Sequence, residues 1–398
     1  SDILCNAEFE LAPHQLFVRN FLSFQTPYNS LLLYHGLGSG KTCSAISVAE
    51  EMRDYLKQLG IVNKIIVVAS PNVQNNFKLQ LFDERKLKLV DGLWNIRSCT
   101  GNKFLKEINP FNLKGLSKEN VIYQVEQIIH KYYAFFGYVE FANYISNSSS
   151  IEGADKDLTT KQKNNLIKRK LKRQFNNRLI IIDEVHNIRI TDDNQNKRVA
   201  QELFKLVNNV DNLRLLLLSA TPLYNSYKEI IWLVNIMNLN DRRPPIRVKD
   251  VFNNDGTFKI NKIGEEVGKE LLERKATGYI SFVRGENPYT FPYRIWPNEF
   301  SKKNTFDEHV YPRNQLNGKP VIQEIELISL FLTNVGDVQS KGYNYIIDRL
   351  KNDIDKNIKK NSFETMDSFG YNLLQKPLEA LNIVYPDERL NDISADNK

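Results

Sequence analysis

The sequence is poor in the residues that build metal centres and covalent frameworks. Cys5, Cys43 and Cys99 are scattered and odd in number, and the five histidines are equally dispersed. They offer neither a disulfide framework nor a zinc cluster, and they suit a reducing compartment. No apolar run approaches the roughly 20 residues that a membrane-spanning helix needs, so no membrane partner is expected. The opening Ser1-Asp-Ile-Leu-Cys-Asn6 shows no basic region and no signal-peptide core. No internal repeat is visible. Acidic residues are missing from one long stretch, Thr159 to Arg178, which is rich in lysine and arginine. Such a run is a solvated face or a nucleic-acid contact. Elsewhere composition is ordinary for a globular protein, 41% apolar and 25% charged. The net charge of +7 permits nucleic-acid binding without requiring it.

What is present centres on Leu31-Leu-Leu-Tyr-His-Gly-Leu-Gly-Ser-Gly-Lys-Thr42. Leu31 to Tyr34 reads as a short buried strand. Gly36, Gly38, Ser39 and Gly40 follow, then Lys41 and Thr42, then a helical pattern through Ala45, Ala49, Met52, Leu56 and Leu59. Glycines let the backbone turn its N–H groups onto phosphate oxygens. The helix N-terminus and Lys41 add positive charge, and the Thr42 hydroxyl suits Mg²⁺. The phosphate-loop pattern has glycine at its first position, where this chain has His35. A Gly-rich turn between strand and helix is the plainer alternative, and the later motifs decide against it.

Pro13 suits the first turn of a helix that continues through Val18, Phe21 and Leu22. Ile65-Ile-Val-Val-Ala69 is a β-branched strand, left through Ser70-Pro-Asn-Val-Gln-Asn-Asn76. Trp94 to Arg97 is a possible short strand, followed by Ser98-Cys-Thr-Gly101. Residues 102–178 read as an insertion. It holds an aromatic cluster, Tyr132 to Tyr138, expected as local core ahead of a base-stacking platform. Leu179-Ile-Ile-Ile182 and Leu215-Leu-Leu-Leu218 are further apolar strands, ended by Asp183-Glu-Val-His186 and Ser219-Ala-Thr-Pro222. Continuous apolar strands separated by helices predict an α/β fold, a parallel sheet covered by helices on both faces. The polar motifs sit just past strand ends, where such sheets bind ligands. Expected domains are 1–240, with that sheet, an irregular linker at 241–300, and a largely helical extension at 301–398.

Adjacent carboxylates at a strand end can divide two tasks. Asp183 can hold Mg²⁺, and Glu184 can orient or deprotonate an attacking water. His186 can bond toward Ser219 or Thr221 and relay nucleotide state. Asp-Glu alone would be an ordinary strand-end turn. The three motifs in this order, each after an apolar strand, are far more specific.

These residues resemble superfamily 2 helicases and translocases, with a RecA-like fold. By that resemblance, Gln15 in Leu-Ala-Pro-His-Gln reads adenine, and His35 to Thr42 is the ATP phosphate loop. Ser70 to Asn76 and Thr100-Gly101 are nucleic-acid motifs. Asp183 to His186 is the DExH motif, and Ser219, Ala220 and Thr221 are the coupling motif. Thr221 to Asn225, with Glu229 and Leu233-Val-Asn235, is similar to the Snf2-like branch. Gly278 to Pro292 and Leu381 to Pro386 resemble helicase-like ATPases of large cytoplasmic DNA viruses, including the poxvirus early transcription factor small subunit and nucleoside triphosphatase I types. The resemblance implies ATP and Mg²⁺ as ligands, and nucleic acid as partner through Pro71, Asn72, Thr100, Gly101 and Lys103, with DNA ahead of RNA. It implies work with a viral RNA polymerase or transcription-factor subunit, in the host cytoplasm and the virion. Arg284 is expected to contact phosphate or a buried carboxylate. No second set of helicase motifs follows residue 300, and Asp396-Asn-Lys398 reads as a cut in a longer chain. Hydrolysis by this stretch alone should therefore be slow. A non-catalytic DNA- or polymerase-binding scaffold with a helicase fold is the second reading. An unrelated phosphate-loop kinase or GTPase is the third, and it explains neither Ser-Ala-Thr nor the upstream glutamine.

Overall fold

The protein is described by a computed structural model that covers residues 11–151, 158–188, 198–223, 226–283, 295–305, 313–314, 320, 331–357 and 371–385. Arg284 and the rest of the run to Pro292 lie outside the described residues, as do Asn225, Pro386 and both chain ends. Contacts group the chain into two compact units, 1–291 and 292–398.

The first unit is built in chain order from α1 (Pro13–Phe21), β1 (Ser30–His35), α2 (Lys41–Gln58), β2 (Ile65–Val68), α3 (Pro71–Leu81), β3 (Leu87–Val90), β4 (Leu93–Ile96), α4 (Lys103–Ile108), α5 (Lys118–Tyr132) and β5 (Tyr133–Phe136). It continues with α6 (Tyr138–Ser149), α7 (Thr160–Phe175), β6 (Leu179–Ile182), α8 (Arg198–Asn209), β7 (Arg214–Ser219), α9 (Glu229–Asn240), α10 (Val267–Ala276) and β8 (Ile280–Val283). Six strands form one parallel sheet in the order β5-β2-β6-β7-β1-β8. This is the expected α/β fold, a parallel sheet covered by helices on both faces. Strands β3 and β4 pair separately as an antiparallel hairpin. Its turn is Asp91-Gly92, both at positive φ, the backbone that a two-residue hairpin turn requires.

Each of the four central strands carries an unbroken apolar run, Leu31–Leu33, Ile65–Val68, Leu179–Ile182 and Leu215–Leu218, because both faces of the sheet are covered there. Leu31 and Leu33, Ile65 and Val67, Leu179 and Ile181, and Leu216 and Leu218 pack into one core with α1, α2, α3 and α5. Their neighbours Leu32, Ile66, Val68, Ile180, Ile182, Leu215 and Leu217 pack into the other with α6, α7, α8 and α9. The period of two along each strand sets the two layers. Helix α2 ends where Gly60, at φ +69°, takes the left-handed conformation.

Two edge strands come from places the sequence pattern did not mark. Residues 102–178 are not an insertion outside the sheet: Tyr133-Ala-Phe-Phe136 pairs in register with Ile65–Val68 as edge strand β5. Its aromatic cluster packs internally, with Tyr133 buried and Phe136 stacked on Tyr144. The sheet also does not close at residue 240. Strand β8 pairs with β1 from Leu32↔Ile280 to His35↔Val283. It is steered there by Asp241, which accepts from Tyr279 Oη at 2.7 Å and from Asn29 at 2.8 Å. Asn238 holds Lys275 O at 2.9 Å. These contacts tie residues 241–283 to the first unit.

In the second unit the two longest helices among the described residues are α11 (Asp337–Asn357) and α12 (Tyr371–Ala380). Gln339 donates to Leu381 O at 2.6 Å, and Gly342 lets Val384 approach closely. This agrees with the helical pattern of the sequence.

Candidate ATP site

Three neighbouring strand ends carry the polar motifs. Strand β7 lies between β1 and β6, so Ser219 sits between the loop after β1 and the carboxylates after β6. Two strand spacings separate those outer elements, about 10 Å. That gap suits a phosphate chain with its cation.

Gly38 and Gly40 take φ +74° and +76°, conformations that an L side chain rarely adopts, and they turn the chain into the N-terminus of α2. Lys41 Nζ donates to the carbonyls of His35 at 2.8 Å and Gly36 at 3.1 Å, and Ser39 Oγ donates to Gly36 O at 2.8 Å. Burial lowers the Lys41 pKa, while the charges of Glu184 and Asp183 oppose that shift. Lysine and both carboxylates therefore share one electrostatic cleft.

Asp183 is buried, at 8% exposure. Burial, then the negative charge of Glu184, pushes its carboxyl up to about 6. One oxygen accepts the Glu184 N–H at 2.9 Å. Glu184 takes φ +46°, an unusual backbone for a side-chain-bearing residue, which turns it away from the strand direction. His186 Nδ1 lies 3.0 Å from Ser219 Oγ and 3.2 Å from Glu184 Oε2. Thr221 N–H in turn donates to Ser219 Oγ at 3.1 Å. Ala220 lies between them at the end of β7.

The donor set fits a magnesium nucleotide. Thr42 hydroxyl and Asp183 carboxylate are hard oxygen ligands, and Asp183 is a buried acid with too little compensating charge. No group of three or more His, Cys, Asp or Glu residues could hold a metal among the described residues. Mg²⁺ takes one or two protein oxygens and completes its shell with phosphates and water.

The remaining expected site residues are distributed differently. Gln15 is buried with both ends of its amide engaged: Oε1 accepts from Ala12 N at 2.9 Å, and Nε2 donates to Gly40 O at 3.2 Å. It braces the phosphate loop, and a Cβ on Gly40 would lie 2.4 Å from it. Its neighbour His14 holds Ser39 O at 2.8 Å. Pro71 and Asn72 are exposed at the start of α3, just past the end of β2. Thr100 donates its hydroxyl to Leu81 O at 3.0 Å, with Gly101 beside it at φ +52°. Lys103 faces inward, donating to Asp54 at 2.7 Å and Glu50 O at 2.9 Å. With the Glu50 carboxylate at 3.1 Å as well, α2 holds its ammonium, which is committed within the protein.

Sequence reasoning missed three contributors. His35 is fully buried, its Nε2 2.9 Å from Ser281 Oγ on β8. The bulk at the loop's first position thus ties the loop to the added edge strand. Cys43 and Cys99 are joined by a disulfide, with Cα atoms 5.1 Å apart, where scattered thiols were expected. They lie 56 residues apart in sequence, and spacing alone gave no sign of it. The bond connects the start of α2 to the Thr100-Gly101 loop. Closing a loop of that length restricts the unfolded chain by about 4 kcal/mol in the entropic account. The third is Arg53, which is charged yet 1% exposed.

A helicase-type ATP-binding domain is what this fold and site define. Residues 8–223 match the family described as "Type III restriction enzyme, res subunit", and the chain belongs to that family. It is similar to an Acanthamoeba polyphaga mimivirus protein named "Putative ATP-dependent RNA helicase", with 26% identity over 80% of this chain and 48% of the relative. A "Putative helicase" of Invertebrate iridescent virus 3 is 26% identical over 69% of this chain and 23% of that protein. An "Early transcription factor large subunit homolog" of African swine fever virus is 25% identical over 71% and 28%. Among solved structures, the Sulfolobus solfataricus SWI2/SNF2 ATPase core in complex with dsDNA aligns with 94% of this chain and 58% of that one. The identity is 15% and the TM-score 0.37. The chain spans half or less of the length of these curated viral relatives.

Proposed function

We propose that this chain is the ATP-binding lobe of a DNA-dependent ATPase, a helicase or translocase, serving transcription in a large DNA virus. One observation carries the reading: the phosphate loop, Asp183-Glu184 and Ser219 meet on neighbouring strand ends, with His186 bonded between the last two. The Gly36–Gly40 backbone and Lys41 would hold the phosphates of ATP, Lys41 exchanging its two loop carbonyls for phosphate oxygens. Thr42 and Asp183 would hold Mg²⁺, which when bound neutralises charge on the transferred phosphoryl group. Glu184 orients the attacking water and accepts its proton. His186 passes the state of Glu184 to Ser219 and Thr221, so nucleotide status reaches the segment that follows β7. Pro71, Asn72, Thr100 and Gly101 form the nucleic-acid side, a set of loops suited to backbone phosphates. The name of the African swine fever virus relative supports a transcriptional setting with a transcription-factor subunit as partner; a viral RNA polymerase as further partner, and a place in the host cytoplasm and the virion, are part of the proposal.

The test uses the full-length protein. Lys41→Ala and Glu184→Gln should each reduce DNA-stimulated ATP hydrolysis by a hundredfold or more, of the order set by loss of one charge-stabilising group. Turnover at the parental level in both variants would overturn the catalytic assignment. Tight DNA binding indifferent to nucleotide would then favour the scaffold reading.

A further inference from the structure

Helix α7 carries a cationic face that the ATP site does not use. The helix is well made at its start: Thr159 Oγ1 accepts the Gln162 N–H, and Gln162 Oε1 accepts the Thr159 N–H at 2.8 Å. Leu171 and Phe175 anchor it in the core beneath α6 and α8. Its outer side presents Lys161, Lys168, Arg169 and Arg173, all exposed, at i, i+7, i+8 and i+12. Among the described residues none of these four has an ion-pair partner, whereas Lys172 pairs with Asp211 and Lys170 bonds Ser150 O. The arrangement works against the helix itself. Lys168–Lys172 and Arg169–Arg173 are like-charge pairs at i,i+4, each unfavourable by about 0.2–0.5 kcal/mol.

Position separates this face from the cleft. Helix α7 turns into β6 through Asn176, which bonds Asn63 before β2 and Asp211 before β7. Its C-terminal end therefore lies at the N-terminal edge of the sheet. The phosphate loop and Asp183 lie at the opposite edge, a strand length or about 13 Å away.

We propose that this face of α7 is a second DNA contact, gripping the phosphate backbone of a duplex. The inference rests on the reading of the chain as a DNA-dependent ATPase. No large apolar side chain of α7 is exposed. The face therefore has neither a stacking platform for single-strand bases nor an apolar anchor for a protein partner. The cationic row runs about 18 Å along the helix. Over that length duplex DNA carries about ten phosphates. Such a contact is sequence-tolerant and keeps the duplex attached to this lobe while the strand-end loops release it.

The test is equilibrium binding of a labelled random-sequence duplex to the whole chain without nucleotide, between about 50 and 200 mM salt. In Lys161→Gln/Lys168→Gln/Arg169→Gln/Arg173→Gln, the slope of log affinity against log salt should flatten by up to about 3–4. A variant with arginine at all four positions should keep the parental slope. Lys41→Ala should keep it as well, and DNA-independent ATP hydrolysis should be unchanged in the glutamine variant. An unchanged slope overturns the proposal while leaving the ATPase reading in place. Loss confined to duplex RNA, or to an acidic polyglutamate peptide with DNA binding intact, overturns it in favour of those partners. Absence of duplex binding by the parental chain overturns the contact, and the hydrolysis test above then judges the ATPase reading separately.

Discussion

His35 shows how one residue can set a local condition for folding. Its ring is buried beside the His14 ring, 5.8 Å away, and near Lys41, with Nε2 committed to Ser281 and no partner at Nδ1. Burial, then the charges of His14 and Lys41, lowers its pKa from 6.5 to about 4. Between those values the unfolded chain binds a proton that the folded chain refuses. Stability therefore rises with pH across this window and is lost as pH falls from 6.5 toward 4. Going from pH 7 to pH 5 should remove about 2 kcal/mol through this residue. Urea unfolding at both pH values measures it. His35→Ala should show a smaller difference, and an equal difference would assign the acid sensitivity to other groups. The sequence marked position 35 as an oddity but could not supply its cause. The partner, Ser281, is 246 residues away on a strand that no motif predicted.

At the scale of elements, α2 is more than the helix behind the phosphate loop. Arg53 binds Glu50 through Nε and Nη2, at 3.0 and 2.7 Å, and Glu107 on α4 through Nη1 at 2.8 Å. Tyr133 on β5 donates to Glu50 at 2.6 Å. Burial, then the Glu50 charge, pushes the tyrosine pKa up and keeps it a donor. Lys103 closes the network from α4. The lysine-bearing helix is thus fixed to the helix that follows Thr100-Gly101. Arg53→Met leaves Glu50 buried with one cation fewer and should destabilise the fold by about 3–5 kcal/mol. Adding Glu50→Gln removes the stranded charge and should recover more than about 1 kcal/mol of that loss. Denaturant midpoints of the four proteins in the cycle measure it, and simple additivity would refute the coupling. The inner strands β1, β2, β6 and β7 were legible because each carries an apolar run buried on both faces. Strand β5 was not, because Tyr-Ala-Phe-Phe reads equally as a helical core segment. Nor was β8, where Ile-Ser-Phe-Val alternates along a half-covered edge and carries Phe282 outward at 63% exposure.

At the scale of the molecule, the motifs were legible in order but their division of labour was not. Lys103 is spent on α2, Gln15 braces the loop, and a basic helix lies at the far edge of the sheet. The first unit presents one wall of an ATP cleft. The residues proposed to hold nucleotide all lie in that unit, so nucleotide should be felt there alone. In hydrogen exchange with MgATP, residues 36–45 and 182–186 should gain protection, while 337–357 should not change. With ligand at ten times its Kd the stabilisation is about 1.4 kcal/mol, which slows exchange through opening of this unit roughly tenfold. Chelating Mg²⁺ should weaken the effect, because Thr42 and Asp183 are the residues that would hold the ion and its charge would offset that of the phosphates. Lys41→Ala should abolish it. Equal protection of residues 337–357 would show that nucleotide acts through both units, and the cleft would then have to be redrawn to include the second.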